Sequence, residues 1–143
     1  MKQYLEIPFR LPSLNDVNEA NRANKYRGAK LKHETDAALM LVIKAAHLKP
    51  VTNPCIVHML FVEPNRRRDV DNVESGKKFI LDALVKAGVL VNDNPKHVIG
   101  CPAYTIYGNG ACVRVTIIDD PREGYLRMKL RTATETITEE GGA

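Results

Sequence analysis

The chain has 143 residues, 44% of them hydrophobic and 27% charged, with a net charge of +4. That length and mix suit one soluble globular domain, and no apolar run approaches the roughly 20 residues that cross a membrane. The mild positive charge is compatible with a nucleic-acid partner, while the absence of tryptophan argues against an aromatic platform for single strands.

Residues 4–11 read as a first strand closed by Pro12. Residues 14–33 are polar, with Asn15, Asn18, Asn21 and Asn24, and with Asp16 and Glu19 ahead of Arg22, Lys25, Arg27, Lys30 and Lys32. They read as a long loop: either an arm laid on a phosphate backbone or a solvated connection. Residues 34–47 carry an apolar stripe through Leu39, Val42, Ile43 and Ala46 that predicts a helix, with Thr35 as a candidate cap. Residues 55–62 are almost continuously apolar and β-branched, the pattern of a buried central strand, and His58 within them reads as a core histidine.

Pro64 ends that strand, and Arg66-Arg67-Arg68-Asp69-Val70-Asp71-Asn72 follows. From Val73 to Ala87 the positions Val73, Ile80, Ala83, Leu84 and Ala87 fall on one helical face, with Asn72 as N-cap and Gly88 as C-cap. After a loop bearing Asp93, residues 97–107 and 112–119 look like two strands of a hairpin closed at Gly108-Asn109-Gly110. The expected fold is a single α+β domain over residues 1–120, with a mixed sheet and two principal helices packed on it. Residues 121–143 read as a polar C-terminal extension and a candidate mobile tail.

The arginine–aspartate stretch concentrates the chemistry. If the backbone there is extended, Asp69 and Asp71 point to one side about 6.6 Å apart along the chain. Two such carboxylates can share Mg²⁺, a hard cation that keeps waters for substrate. Asp71, Ser75, Lys78 and Asp82 recur at helical spacing, which turns Lys78 toward the carboxylates and leaves Lys77 nearer the apolar face. A lysine beside a metal-bound phosphate stabilises developing charge. Arg66, Arg67 and Arg68 are placed to grip flanking phosphates. Each element alone is commonplace: D-x-D is often a solvated turn, and Asp93 would suit a turn. Their order gives them weight. Cys55, Cys101 and Cys112 lack zinc spacing and read as free thiols of a reducing cytosol, and the start of the chain shows no leader, so a cytoplasmic location is expected. There is no nucleophile–base pair and no Gly-rich phosphate loop, so no nucleotide cofactor is expected.

Arg68-Asp69-Val70-Asp71-Asn72, Lys78, Leu81-Asp82-Ala83-Leu84, Ala87-Gly88-Val89 and Asn92-Asp93 resemble the core motif of the RusA family of Holliday junction resolvases. Pro12-Ser13-Leu14-Asn15 is similar to an early element of that family. The resemblance implies a RusA-like fold and a homodimeric, Mg²⁺-dependent endonuclease, with Mn²⁺ able to substitute. Such enzymes nick four-way or branched DNA symmetrically in recombination and repair, and are often phage-encoded. It assigns Asp69, Asp71 and Asp93 to the metal and Lys78 to catalysis. Beside it, Arg66, Arg67, Arg68, Asn72, Asn15, Arg22, Lys25, Arg27 and Lys30 are the candidate DNA contacts. The commonest family spacing would put the lysine at Ser75, and only an alignment through Leu81-Asp82-Ala83-Leu84 selects Lys78. A dimer also has a physical reason, since a four-way junction presents two equivalent strands to a two-fold enzyme. The alternatives are a non-catalytic branched-DNA binder on the same scaffold, or a metal nuclease acting on flaps or RNA.

Overall fold

A computed structural model describes the backbone of residues 1–141 and the side chains of residues 1–132. The elements run β1 (Lys2–Ile7), α1 (Leu14–Ala23), α2 (Lys25–Ala45), β2 (Cys55–Glu63), α3 (Val70–Glu74), α4 (Lys77–Lys86), β3 (Val98–Gly100), β4 (Ala103–Tyr107), β5 (Cys112–Asp119) and α5 (Glu123–Gly141). This is the expected single α+β domain with a mixed sheet, but its described residues form five helices rather than two. No helix among them is long and apolar enough to cross a membrane.

β2 is the spine of the sheet. A strand buried on both faces needs hydrogen-bonding neighbours at both edges. β5 lies antiparallel along one edge and β4 and β3 run parallel along the other, while β1 closes the sheet against β5. Alternation then builds the core. Val57, Met59 and Phe61 of β2, Val113, Val115 and Ile117 of β5, and Leu5 and Ile7 of β1 are all buried. They form one cluster with Leu39 and Ile43 of α2 and Ile80, Ala83 and Leu84 of α4.

Several local expectations change. The polar stretch 14–33 is helical, not a loop. Ser13 and Asp16 form a capping box at the start of α1, and Asn24 caps α2 through Arg27 N. Thr35 therefore lies inside α2, where its hydroxyl donates to Leu31 O at 2.8 Å. The helix expected over 73–87 is two helices, with Asp69 rather than Asn72 as the cap of the first. Gly76 N bonds Val73 O and Phe79 N bonds Gly76 O, two tight i→i+3 turns at the joint. A Cβ on Gly76 would stand 3.1 Å from Leu11 Cβ, so the close approach of the β1–α1 connection favours glycine there. Gly88 follows α4 at φ 77°, the left-handed position expected of it.

The hairpin does not form. β4 and β5 lie on opposite sides of β2, and the turn at 108–111 steps across the end of that strand. Gly108 N donates to Glu63 O at 3.0 Å. Asn-Gly marks a turn but does not choose strand partners, and the apolar β2 claims both neighbours. His58 is half-buried on the sheet face opposite the core, its ring 5.2 Å from that of Tyr104. Burial and the nearby Lys2 hold its pKa below the usual histidine value.

Beyond Pro121 the chain forms α5, and Leu126 is fully buried. Leu126→Ala is expected to cost about 2–5 kcal/mol, read as a lower urea midpoint. A change under about 0.5 kcal/mol, the size typical of surface positions, would show that α5 is not docked.

Candidate active site

The site begins where β2 ends. Pro64 stops the strand, Asn65 Oδ1 accepts from Arg67 N at 3.0 Å, and Asp69 adopts an extended backbone (φ −64°, ψ 146°) as the cap of α3. From Val70 the backbone is helical, so the extended geometry that would align Asp69 with Asp71 ends at Asp69 itself. Both side chains are exposed, and Asp69 makes no side-chain cap bond. Asn72 lies within α3, where its carbonyl accepts from Ser75 Oγ at 2.6 Å.

The structure brings Lys78 to Asp93. Lys78 Nζ lies 3.1 Å from Asp93 Oδ2 and 3.1 Å from Asp82 Oδ1. Hydrogen bonds to Asp82 and then Asp93 raise its pKa, so at neutral pH it is a fixed positive charge and not a base. Lys77 is half-buried, and its charge lowers the pKa of the Cys101 thiol against the larger opposing effect of burial. Asp93 and Asp82 also line a groove with Lys32, Asp36 and Lys86. Cys55 is inert, since burial pushes its thiol to about 12.

The three arginines divide. The Arg66 guanidinium lies over the Tyr107 ring at 4.9 Å, and Arg67 is exposed. Arg68 is turned inward: Nη2 bonds Asp16 Oδ2 at 2.6 Å, Nη1 donates to Leu11 O at 3.4 Å, and Glu63 Oε1 is 3.9 Å away. Asn15, Arg22, Lys25, Arg27 and Lys30 are exposed on α1 and α2, with Lys30 3.9 Å from Glu34.

Glu63 and Asp16 are the site residues that the sequence alone does not single out. Glu63 continues the inward alternation of Cys55, Val57, Met59 and Phe61, and a carboxylate at a core-facing position is the sign that could have exposed it. Asp16 stands three residues after Ser13, the spacing of a capping box.

Among the described residues no group of three or more His, Cys, Asp or Glu side chains is gathered as a metal cradle. The expected triad of Asp69, Asp71 and Asp93 is therefore not preassembled; Asp93 is held by Lys78 instead. Mg²⁺ is commonly bound through one or two carboxylates with waters and substrate phosphate, and the exposed oxygens of Asp69 and Asp71 suit that chemistry. No protein-family model matches the chain, and no curated protein matches it.

Proposed function

We propose that the protein is a cytoplasmic, Mg²⁺-dependent, structure-selective endodeoxyribonuclease that resembles the RusA resolvases. It acts as a homodimer that nicks four-way DNA junctions in pairs during recombination and repair. The observation that carries this reading is the meeting of Lys78 with Asp93, fifteen residues apart in sequence and 3.1 Å apart in space. The sequence motif points to the same two residues, for catalysis and for metal binding. The exposed carboxylates of Asp69 and Asp71 at the head of α3 add support.

Bound Mg²⁺, or Mn²⁺ in its place, supplies Lewis acidity at the phosphate and lowers the pKa of an attacking water. Asp69 and Asp71 would hold the ion. Lys78 would stay charged and stabilise charge developing on phosphoryl oxygens, with Asp93 orienting its ammonium in the free enzyme. Arg66 and Arg67, with Arg22, Lys25, Arg27 and Lys30, offer exposed cations to the DNA backbone, which implies salt-dependent affinity.

One gel assay tests the reading. Labelled four-way junction, flap, linear duplex and RNA are incubated with the protein, with and without Mg²⁺. Paired nicks in the junction, only with Mg²⁺, are the expected result. Preferential cutting of flap or RNA would move the substrate class, and junction binding without any nick would leave a branched-DNA binder.

A further inference from the structure

We propose that Glu63 and Asp16 are positioning residues for the Asp69–Asp71 turn, acting through Arg68, and that this clamp ties the α1–α2 hairpin to the cleavage site. The inference rests on the nuclease reading above and adds two carboxylates that act through Arg68.

The clamp has two anchor points. Ahead of Asp69, the Arg68 guanidinium spans Asp16 on α1, the Leu11 carbonyl and Glu63 at the end of β2. Behind Asp71, Ser75 Oγ accepts from Leu14 N at 3.0 Å and donates to Asn72 O at 2.6 Å. The first turn of α1 is thus bolted to both ends of the segment that carries Asp69 and Asp71. Because Asp69 makes no side-chain cap bond, its position depends on the backbone between those anchors.

Glu63 indicates that the arrangement serves more than stability. It is 3% exposed, and its Oε2 accepts from Arg10 Nε at 3.3 Å. Its Oε1 is buried without a hydrogen-bond partner. An ionised carboxylate in a core-facing position is costly, and an apolar residue would fill the place more cheaply. What the carboxylate adds is a second partner for Arg68, 3.9 Å from a guanidinium that Asp16 also holds. Asp16 Oδ2 accepts from Ser13 N at 2.8 Å as well, so the capping box of α1 and the Arg68 ion pair share one oxygen. A phosphate strand gripped by Arg22, Arg27 and Lys30 would therefore load the same bond network that sets the acids.

The test uses the full chain with Asp16→Asn, Glu63→Gln and Asp16→Glu. Three quantities are read: the Mg²⁺ concentration that half-saturates nicking, the junction Kd in EDTA, and the thermal midpoint. Asp16→Asn and Glu63→Gln are expected to raise half-saturating Mg²⁺ about tenfold, the lower end of what loss of an outer-shell partner costs. Junction affinity should fall by no more than about twofold, since a carboxylate does not grip phosphate and the cations that do are untouched. Asp16→Glu should restore most of the loss, because glutamate also serves at the third position of a capping box.

Wild-type Mg²⁺ dependence in both Asp16→Asn and Glu63→Gln would overturn the clamp and leave the nuclease reading standing. So would a fall in thermal midpoint and junction affinity together, unrescued by Asp16→Glu, because that marks a purely structural role. A wild-type protein that neither nicks in Mg²⁺ nor loses Mn²⁺ binding on Asp71→Asn would overturn the nuclease reading, and this inference with it.

Discussion

Asp71→Asn is expected to lower Mg²⁺-dependent junction nicking by at least about a hundredfold, the upper end of the loss on removing a mere outer-shell partner. The substitution keeps size and shape but removes the negative charge that a hard cation requires. Asp71 is exposed in the first turn of α3, so the fold should be unaffected, with stability changed by no more than about 0.5 kcal/mol. Junction binding should persist or tighten, because one negative charge beside the phosphates is gone. Single-turnover nicking in Mg²⁺ and a gel shift in EDTA measure the two halves. Cleavage at the wild-type rate would sink the metal assignment.

Lys78→Ala is expected to reduce the nicking rate by about 10²–10³-fold, the range seen when one preorganised donor to a transition-state oxyanion is removed. Lys77→Ala should do little. The two lysines are adjacent in sequence but diverge in space. Lys78 reaches Asp82 and Asp93, and its side chain is 69% exposed. Lys77 is half-buried, close enough to Cys101 to influence its thiol. Because the Lys78 pairs are exposed, their loss should leave stability nearly unchanged, which separates a catalytic defect from unfolding. A larger loss from Lys77→Ala would show that the alignment through Leu81-Asp82-Ala83-Leu84 is wrong.

Part of the fold and of the site is legible in the amino-acid pattern. The apolar run ended by Pro64 announces β2, and the stripe of Ile80, Ala83 and Leu84 announces the buried face of α4. The projection of Lys78 away from the core follows from the same periodicity, although the tight turns at Gly76 interrupt the helix in between. α1 is hidden for a physical reason: none of its residues is buried, and its apolar positions Leu14, Val17, Ala20 and Ala23 are few and mostly small among polar side chains. Its other local mark is the Ser13–Asp16 spacing. The extended backbone expected through Asp71 stops at Asp69, because a helix begins at Val70.

Near neighbours along the chain settle the periodicity of β2 and α4, the chain-breaking residues, and the order of acids and bases around Asp69. Only the tertiary structure decided which strands flank β2 and where each arginine points. Arg68 finds Asp16 across 52 residues and Leu11 O across 57. Contacts at such separations are settled by competition for burial and for hydrogen-bond partners over the whole chain. A buried Glu63 lies 3.9 Å from the Arg68 guanidinium, and an apolar β2 takes a strand on each side. No local pattern records the outcome of that competition.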